Sequence, residues 1–161
     1  MDQTHIHLLI NHLPVFGSIL GGFVLAHGIW TKSNPTKIAA YNVFIISAIG
    51  GVIAFLTGEA AEETAENIQG VAKNMIDQHE DFAVFALVSL IVLGVASILG
   101  ILMTLKKSNL TRKIAFVILL ISLISFGLVA RTGYLGGQIR HTELSNDTSI
   151  LFENSEVEDE D

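Results

Sequence analysis

The chain has 161 residues, of which 50% are apolar and only 16% are charged. A typical soluble domain carries about 25% charged residues, so this composition argues against one. The net charge of −7 argues against nucleic-acid binding, and the absence of cysteine excludes disulfides, thiolate metal sites and covalently attached c-type haem.

Four long stretches without any Asp, Glu, Lys or Arg determine the predicted fold. They cover residues 6–30, 38–57, 82–105 and 114–130. A helix needs about 20 mainly apolar residues to cross a bilayer, whereas each helix of a soluble bundle would show a polar face. The sequence therefore predicts an all-α integral membrane four-helix bundle, with its four-span domain over residues 1–141.

The charged residues are divided between the two sides of this predicted bundle. The linkers 31–37 and 106–113 hold most of the basic residues and no acidic one, and all 16 acidic residues fall on the other side. Short basic loops stay in the cytoplasm. We therefore expect a multi-pass protein of the bacterial inner membrane with both termini on the extracytoplasmic side.

Two segments lie outside the predicted spans. Residues 59–78 are rich in Ala and Glu and repeat an apolar residue every three or four positions, which predicts a surface helix between the second and third spans. Residues 142–161 are polar and acidic. Such a segment buries too little apolar surface to offset its ordering entropy, so we predict a disordered acidic tail.

Histidines concentrate at the outer boundary of the predicted bundle. His7 and His12 begin the first span, His79 precedes the third and His141 follows the fourth. Ionisable side chains at membrane depth are costly and indicate function. His7 and His12 diverge by about 140° on a helix, so pairs such as His12 with His79, or His7 with His141, are expected to meet across the bundle. The alternative is a set of interfacial polar side chains without a shared role.

Other charged side chains near this boundary are candidate partners of the histidines. Glu59 and Glu63 lie one helical turn apart, and carboxylate oxygens with imidazole nitrogens suit zinc, copper or iron. Arg131 and Arg140 could pair with the propionates of a haem. A solvated acidic face is the alternative interpretation of the glutamates.

The first functional hypothesis is a non-covalent b-type haem. Histidines on facing helices would ligate it, since four-helix bundles commonly hold cofactors in this way. Glycines such as Gly17, Gly21 and Gly50 would leave room for a flat macrocycle. The protein would then pass electrons between a membrane quinol and a redox partner on the outer face.

Two alternatives stay open. One is a zinc, copper or iron site whose candidate ligands are His7, His12, His79, Glu59 and Glu63. The other is a cofactor-free accessory subunit of a homo-oligomer or a larger membrane complex. The chain contains no HExxH motif and no identifiable nucleophile–base pair, so an electron-transfer component is favoured over a stand-alone enzyme.

Several of these residues also carry a family resemblance. His7, His12 and Pro14 follow one another at fixed spacing, and the remaining matches are Thr57-Gly58-Glu59, His79-Glu80 and Gly136-Gly137. Together they resemble the signature of a family of uncharacterised four-helix bacterial membrane proteins, domain-of-unknown-function family 2231. The resemblance implies the four-span architecture and supplies no established activity.

Overall fold

The computed structural model describes residues 3–58 and 73–158. Its elements are α1 (Gln3–Ile10), α2 (His12–Trp30), α3 (Asn34–Leu56), α4 (Lys73–Leu105) and α5 (Thr111–Glu158). Four spans are long and apolar enough to cross a membrane: Gln3–Trp30, Asn34–Leu56, Ile76–Leu105 and Thr111–Gln138. The predicted all-α membrane bundle is confirmed.

The spans form a ring in which each helix packs against two neighbours. α2 packs against α3, α3 against α4, α4 against α5 and α5 against α2, while α1 packs on α3. Short linkers join antiparallel neighbours in such up-down bundles. The α2–α3 hairpin and the α4–α5 hairpin therefore place both basic linkers at one end of the bundle.

The outer surface of the ring is apolar. Side chains more than half exposed include Leu20, Phe23, Ile49, Leu99 and Leu120. Soluble monomers rarely expose apolar patches of this extent, whereas a bilayer accommodates them. Trp30 is exposed at one end and Tyr134 at the other, as in the aromatic belts at membrane interfaces. The chain is a multi-pass membrane protein.

The inside of the ring is closely packed around small residues. Tyr41 and Phe44 are fully buried in the principal apolar cluster. A Cβ added to Gly21 would lie 2.5 Å from the Phe44 ring, and one added to Gly51 would lie 2.5 Å from Leu90. Small residues let helix backbones approach closely in lipid. These glycines receive side chains of neighbouring helices, so the face of Gly21, which was expected to leave room for a macrocycle, is filled by Phe44.

Two predicted boundaries differ from the structure. α4 begins at Lys73, ahead of the predicted third span, because the charged side chains of Asp77, Glu80 and Asp81 are exposed and so are tolerated at this end of the helix. Residues 59–72 of the predicted surface helix lie outside the described residues. The predicted disordered tail is not confirmed, since α5 continues to Glu158. The sequence has neither Pro nor Gly after Gly137, so nothing in this segment breaks a helix.

Candidate functional site

His7 connects the first span to the end of α3. Its Nδ1–H donates a hydrogen bond to the Ala54 carbonyl oxygen, 2.8 Å away. A carbonyl can only accept, so Nδ1 must carry the proton. The ring lies beside Gly58, where an added Cβ would be 3.7 Å from His7 Cε1. His7 therefore points into the bundle with its position and proton fixed by backbone.

His79 makes the equivalent contact in the second hairpin. Its Nδ1–H donates to the Thr132 carbonyl oxygen on α5, 3.0 Å away. The ring lies against Gly136, where an added Cβ would come within 3.1 Å of His79 Cε1. That contact is closer than ordinary van der Waals packing, so the missing side chain at Gly136 is what lets the ring reach α5.

The two histidines form a matched pair. His7 on α1 and His79 on α4 each donate to a carbonyl that lies four residues before a glycine, Ala54 before Gly58 and Thr132 before Gly136. His7 is near enough for its charge to be felt at His79, so both rings lie at the same end of the ring of helices. In the neutral form of both rings, Nε2 is left without a proton. Nitrogen in that state is a metal ligand or a hydrogen-bond acceptor.

Asn11 adds an oxygen to this region. It lies one turn after His7, and its Oδ1 is buried without a hydrogen-bond donor in the described part of the chain. Buried polar atoms nearly always have a partner, so each exception calls for an explanation. A cation, or a water molecule coordinated to a cation, would satisfy this oxygen. The sequence-based reasoning did not single out Asn11, because an asparagine at a helix junction is ordinary.

Two other predicted site residues are described. His12 lies on the exposed face of α2, and the structure does not bring it to the His7–His79 pair. Arg131 is exposed, and its Cζ lies 5.6 Å from the Phe82 ring centroid and 5.5 Å from that of Tyr134. These cation–π contacts hold the guanidinium between the two rings. Arg131 directly precedes Thr132, whose carbonyl accepts the His79 hydrogen bond.

The remaining predicted residues are not tested. Glu59 and Glu63 lie outside the described residues, and Arg140 and His141 are described only as backbone of α5. Within residues whose side chains are described, no three His, Cys, Asp or Glu converge on a possible metal position. Among the described side chains, the candidate donors are therefore His7, His79 and Asn11, which lies four residues after His7.

The carbonyl partners of the two histidines were not predicted, because backbone groups leave no residue-type signal. The sequence does contain a short repeat that relates the two hairpins. Lys-Ser-Asn begins at Lys32 and again at Lys107, and a Thr-Gly pair follows each at the same separation, at Thr57 and Thr132. The offset of this repeat matches neither the spacing of His7 and His79 nor that of Ala54 and Thr132, so it would not have identified the carbonyl partners.

The fold and the matched pair define a four-span helical membrane protein with a histidine from each hairpin at the end opposite its basic linkers. A family model described as a predicted membrane protein (DUF2231) matches residues 4–143. The chain belongs to this family, and the resemblance seen in its sequence is confirmed. Comparison with curated proteins and comparison with solved structures each gave no match.

Proposed function

We propose that the protein holds a transition-metal ion at one surface of the membrane, with His7 and His79 as ligands through Nε2. The observation that carries this proposal is that each ring donates Nδ1–H to a backbone carbonyl. Metal-bound histidines almost always use their other ring nitrogen in this way, which fixes the tautomer and raises ligand basicity.

The donor set favours zinc, copper or iron. Imidazole suits all three ions, and a zinc site usually takes four ligands. Oxygen donors would complete the coordination of the two imidazoles: the Asn11 side chain, Glu59, Glu63 or water. Such a site would bind or transfer the ion at the membrane boundary.

A b-type haem is the second candidate. One arrangement favours it: His7 and His79 come from different helices, as bis-histidine ligation requires, and Arg131 is held near the His79 level. Against it, Phe44 and Leu90 occupy the glycine faces that would have accommodated the macrocycle. With haem bound, the protein would transfer electrons between a quinol and an outer-face partner.

One preparation tests both candidates. Full-length protein is purified in detergent from a host supplied with metals and haem precursor, and its metal content and its absorption spectra before and after reduction are recorded. We expect about one zinc, copper or iron ion per chain, as a four-ligand site of this kind would hold, and no Soret band. A Soret band that shifts on reduction would show that the bound group is haem and not a metal ion. Protein that binds neither, even after incubation with Zn(II) and Cu(II), would contradict both and leave an accessory role.

The proposed orientation places the histidine pair on the extracytoplasmic side, because the basic linkers at the opposite end favour the cytoplasm. The chain has no cysteine, so single cysteines report topology cleanly. In spheroplasts, a membrane-impermeant maleimide is expected to label Gln3→Cys at once and Leu110→Cys only after permeabilisation. The reverse labelling pattern would show that the protein has the opposite orientation in the membrane.

A further inference from the structure

The end of the bundle opposite the histidine pair carries a basic groove between the two interhelical linkers. Its volume is about 420 Å³, and its basic lining residues are Lys32, Lys37, Lys107 and Arg112. None of its lining residues is acidic, and neither linker contains an acidic residue. The groove therefore concentrates positive charge without a counter-charge from the linkers that form it.

Lys37 makes this concentration costly. Its side chain is only 6% exposed, and Arg112 is near enough to repel its ammonium group. Gly28 permits the burial, since an added Cβ there would lie 3.1 Å from Lys37 Cγ. Two like charges held side by side, one of them on a residue with little exposed surface, are stabilised by an opposite charge between them. The arrangement points to an anion from outside the chain.

Both linkers also retain a lysine where glycine would be easier to accommodate. Lys32 and Lys107 have positive φ values of 56° and 52°. Each is the second residue after its helix, and each helix end is closed by a Schellman pair of hydrogen bonds. In the first linker, Ser33 N–H donates to the Gly28 carbonyl at 3.0 Å. Glycine is usual at this position because it has no Cβ penalty. A lysine at the same strained position in both linkers indicates that its side chain has a role in binding.

An apolar groove of about 340 Å³ adjoins the basic one between α2 and α5. Trp30, Phe116 and Leu119 line it, and it shares Ile29 and Arg112 with the basic groove. The Arg112 guanidinium lies over the Phe116 ring at 5.9 Å. Arg112 thus joins a charged groove at the end of the bundle to an apolar groove on its membrane-facing side.

We propose that the two grooves bind one anionic phospholipid, with the phosphate among Lys37, Lys107 and Arg112 and an acyl chain against Trp30 and Phe116. Basic pockets between membrane spans recognise anionic head groups in this way. A free phosphate would satisfy the basic groove and leave the apolar groove unused. The proposal does not depend on the histidine site.

The single tryptophan of the chain lines the acyl groove and so reports occupancy directly. Full-length protein in mixed micelles is titrated with phosphatidylglycerol carrying brominated acyl chains, which quench nearby tryptophan. Half-maximal quenching is expected at a lower mole fraction than with brominated phosphatidylcholine. Equal curves for the two lipids, or complete displacement of the lipid by millimolar inorganic phosphate, would overturn the proposal.

Matched variants separate a specific site from general surface charge. Lys107→Gln and Arg112→Gln are each expected to raise the half-quenching mole fraction about fivefold, the factor that corresponds to one basic contact with an anionic surface. Lys106→Gln and Lys113→Gln remove the same charge from the same linker at exposed positions outside the groove, and should change nothing. Equal effects in all four variants would contradict a defined site.

Lys107→Gly separates binding from folding. Glycine adopts positive φ without strain, so the thermal unfolding temperature should not fall, whereas phosphatidylglycerol binding should weaken as in Lys107→Gln. Unchanged binding in Lys107→Gly would show that the lysine side chain makes no contact with the lipid, and would overturn its assignment.

Discussion

Replacing His79 by asparagine is expected to remove the bound metal ion while leaving the fold intact. Asparagine carries its amide nitrogen on Cγ, as histidine carries Nδ1, so it can still donate to the Thr132 carbonyl. It has no counterpart of Nε2. The loss of metal affinity should exceed the roughly 10- to 100-fold that follows when only a hydrogen-bond partner of a ligand is lost.

Metal content and thermal unfolding, measured on the same preparations, make this result decisive. His79→Ala should lose the ion as well and should also lose the contact with α5. His12→Asn is the matched control, because His12 is exposed on α2, and it should retain the ion. If His79→Asn binds metal with unchanged affinity, His79 is not a ligand and serves only as a hydrogen-bond donor between helices.

Replacing Gly21 by alanine is expected to destabilise the bundle by about 1–3 kcal/mol, the usual cost of overpacking a close-packed interior. The added Cβ would lie 2.5 Å from Cε1 of Phe44. That ring is 0% exposed, so it has no free space into which to move. In an unhindered helix the same change would instead stabilise by roughly 0.5–1 kcal/mol.

Gly127 provides the control, since an added Cβ there meets nothing within 4 Å. Thermal unfolding in detergent should show a lower midpoint for Gly21→Ala and an equal or higher midpoint for Gly127→Ala. Adding Phe44→Leu to Gly21→Ala should recover part of the lost stability, because leucine is smaller than phenylalanine. Equal midpoints for both alanine variants would contradict the close approach of α2 and α3.

The spans were predictable because the energetic requirement is simple and local. A bilayer excludes charge over about 20 residues, and four such stretches stand out in this sequence. Helix ends were less predictable, because a helix continues into water until a residue stops it. α4 extends beyond the lipid-facing part of its sequence toward Lys73, and α5 continues past Gly137.

For the candidate site, the sequence indicated which residue types to consider but not which of them would face one another. Histidines at one boundary indicated a site, and both His7 and His79 were among them. Their pairing with each other depends on which helical face turns inward, and His7 and His12 cannot both do so. The pairing also depends on backbone carbonyls of Ala54 and Thr132, which become available only once α3 and α5 are packed.

The account depends on His7 and His79 binding one ion together, and pulsed EPR of the Cu(II)-loaded, full-length protein tests this most directly. The nitrogen modulation should report two coordinating imidazoles in the wild type and one in His7→Ala or His79→Ala. A wild-type signal without imidazole coupling, or two imidazoles retained in both variants, would contradict the shared site.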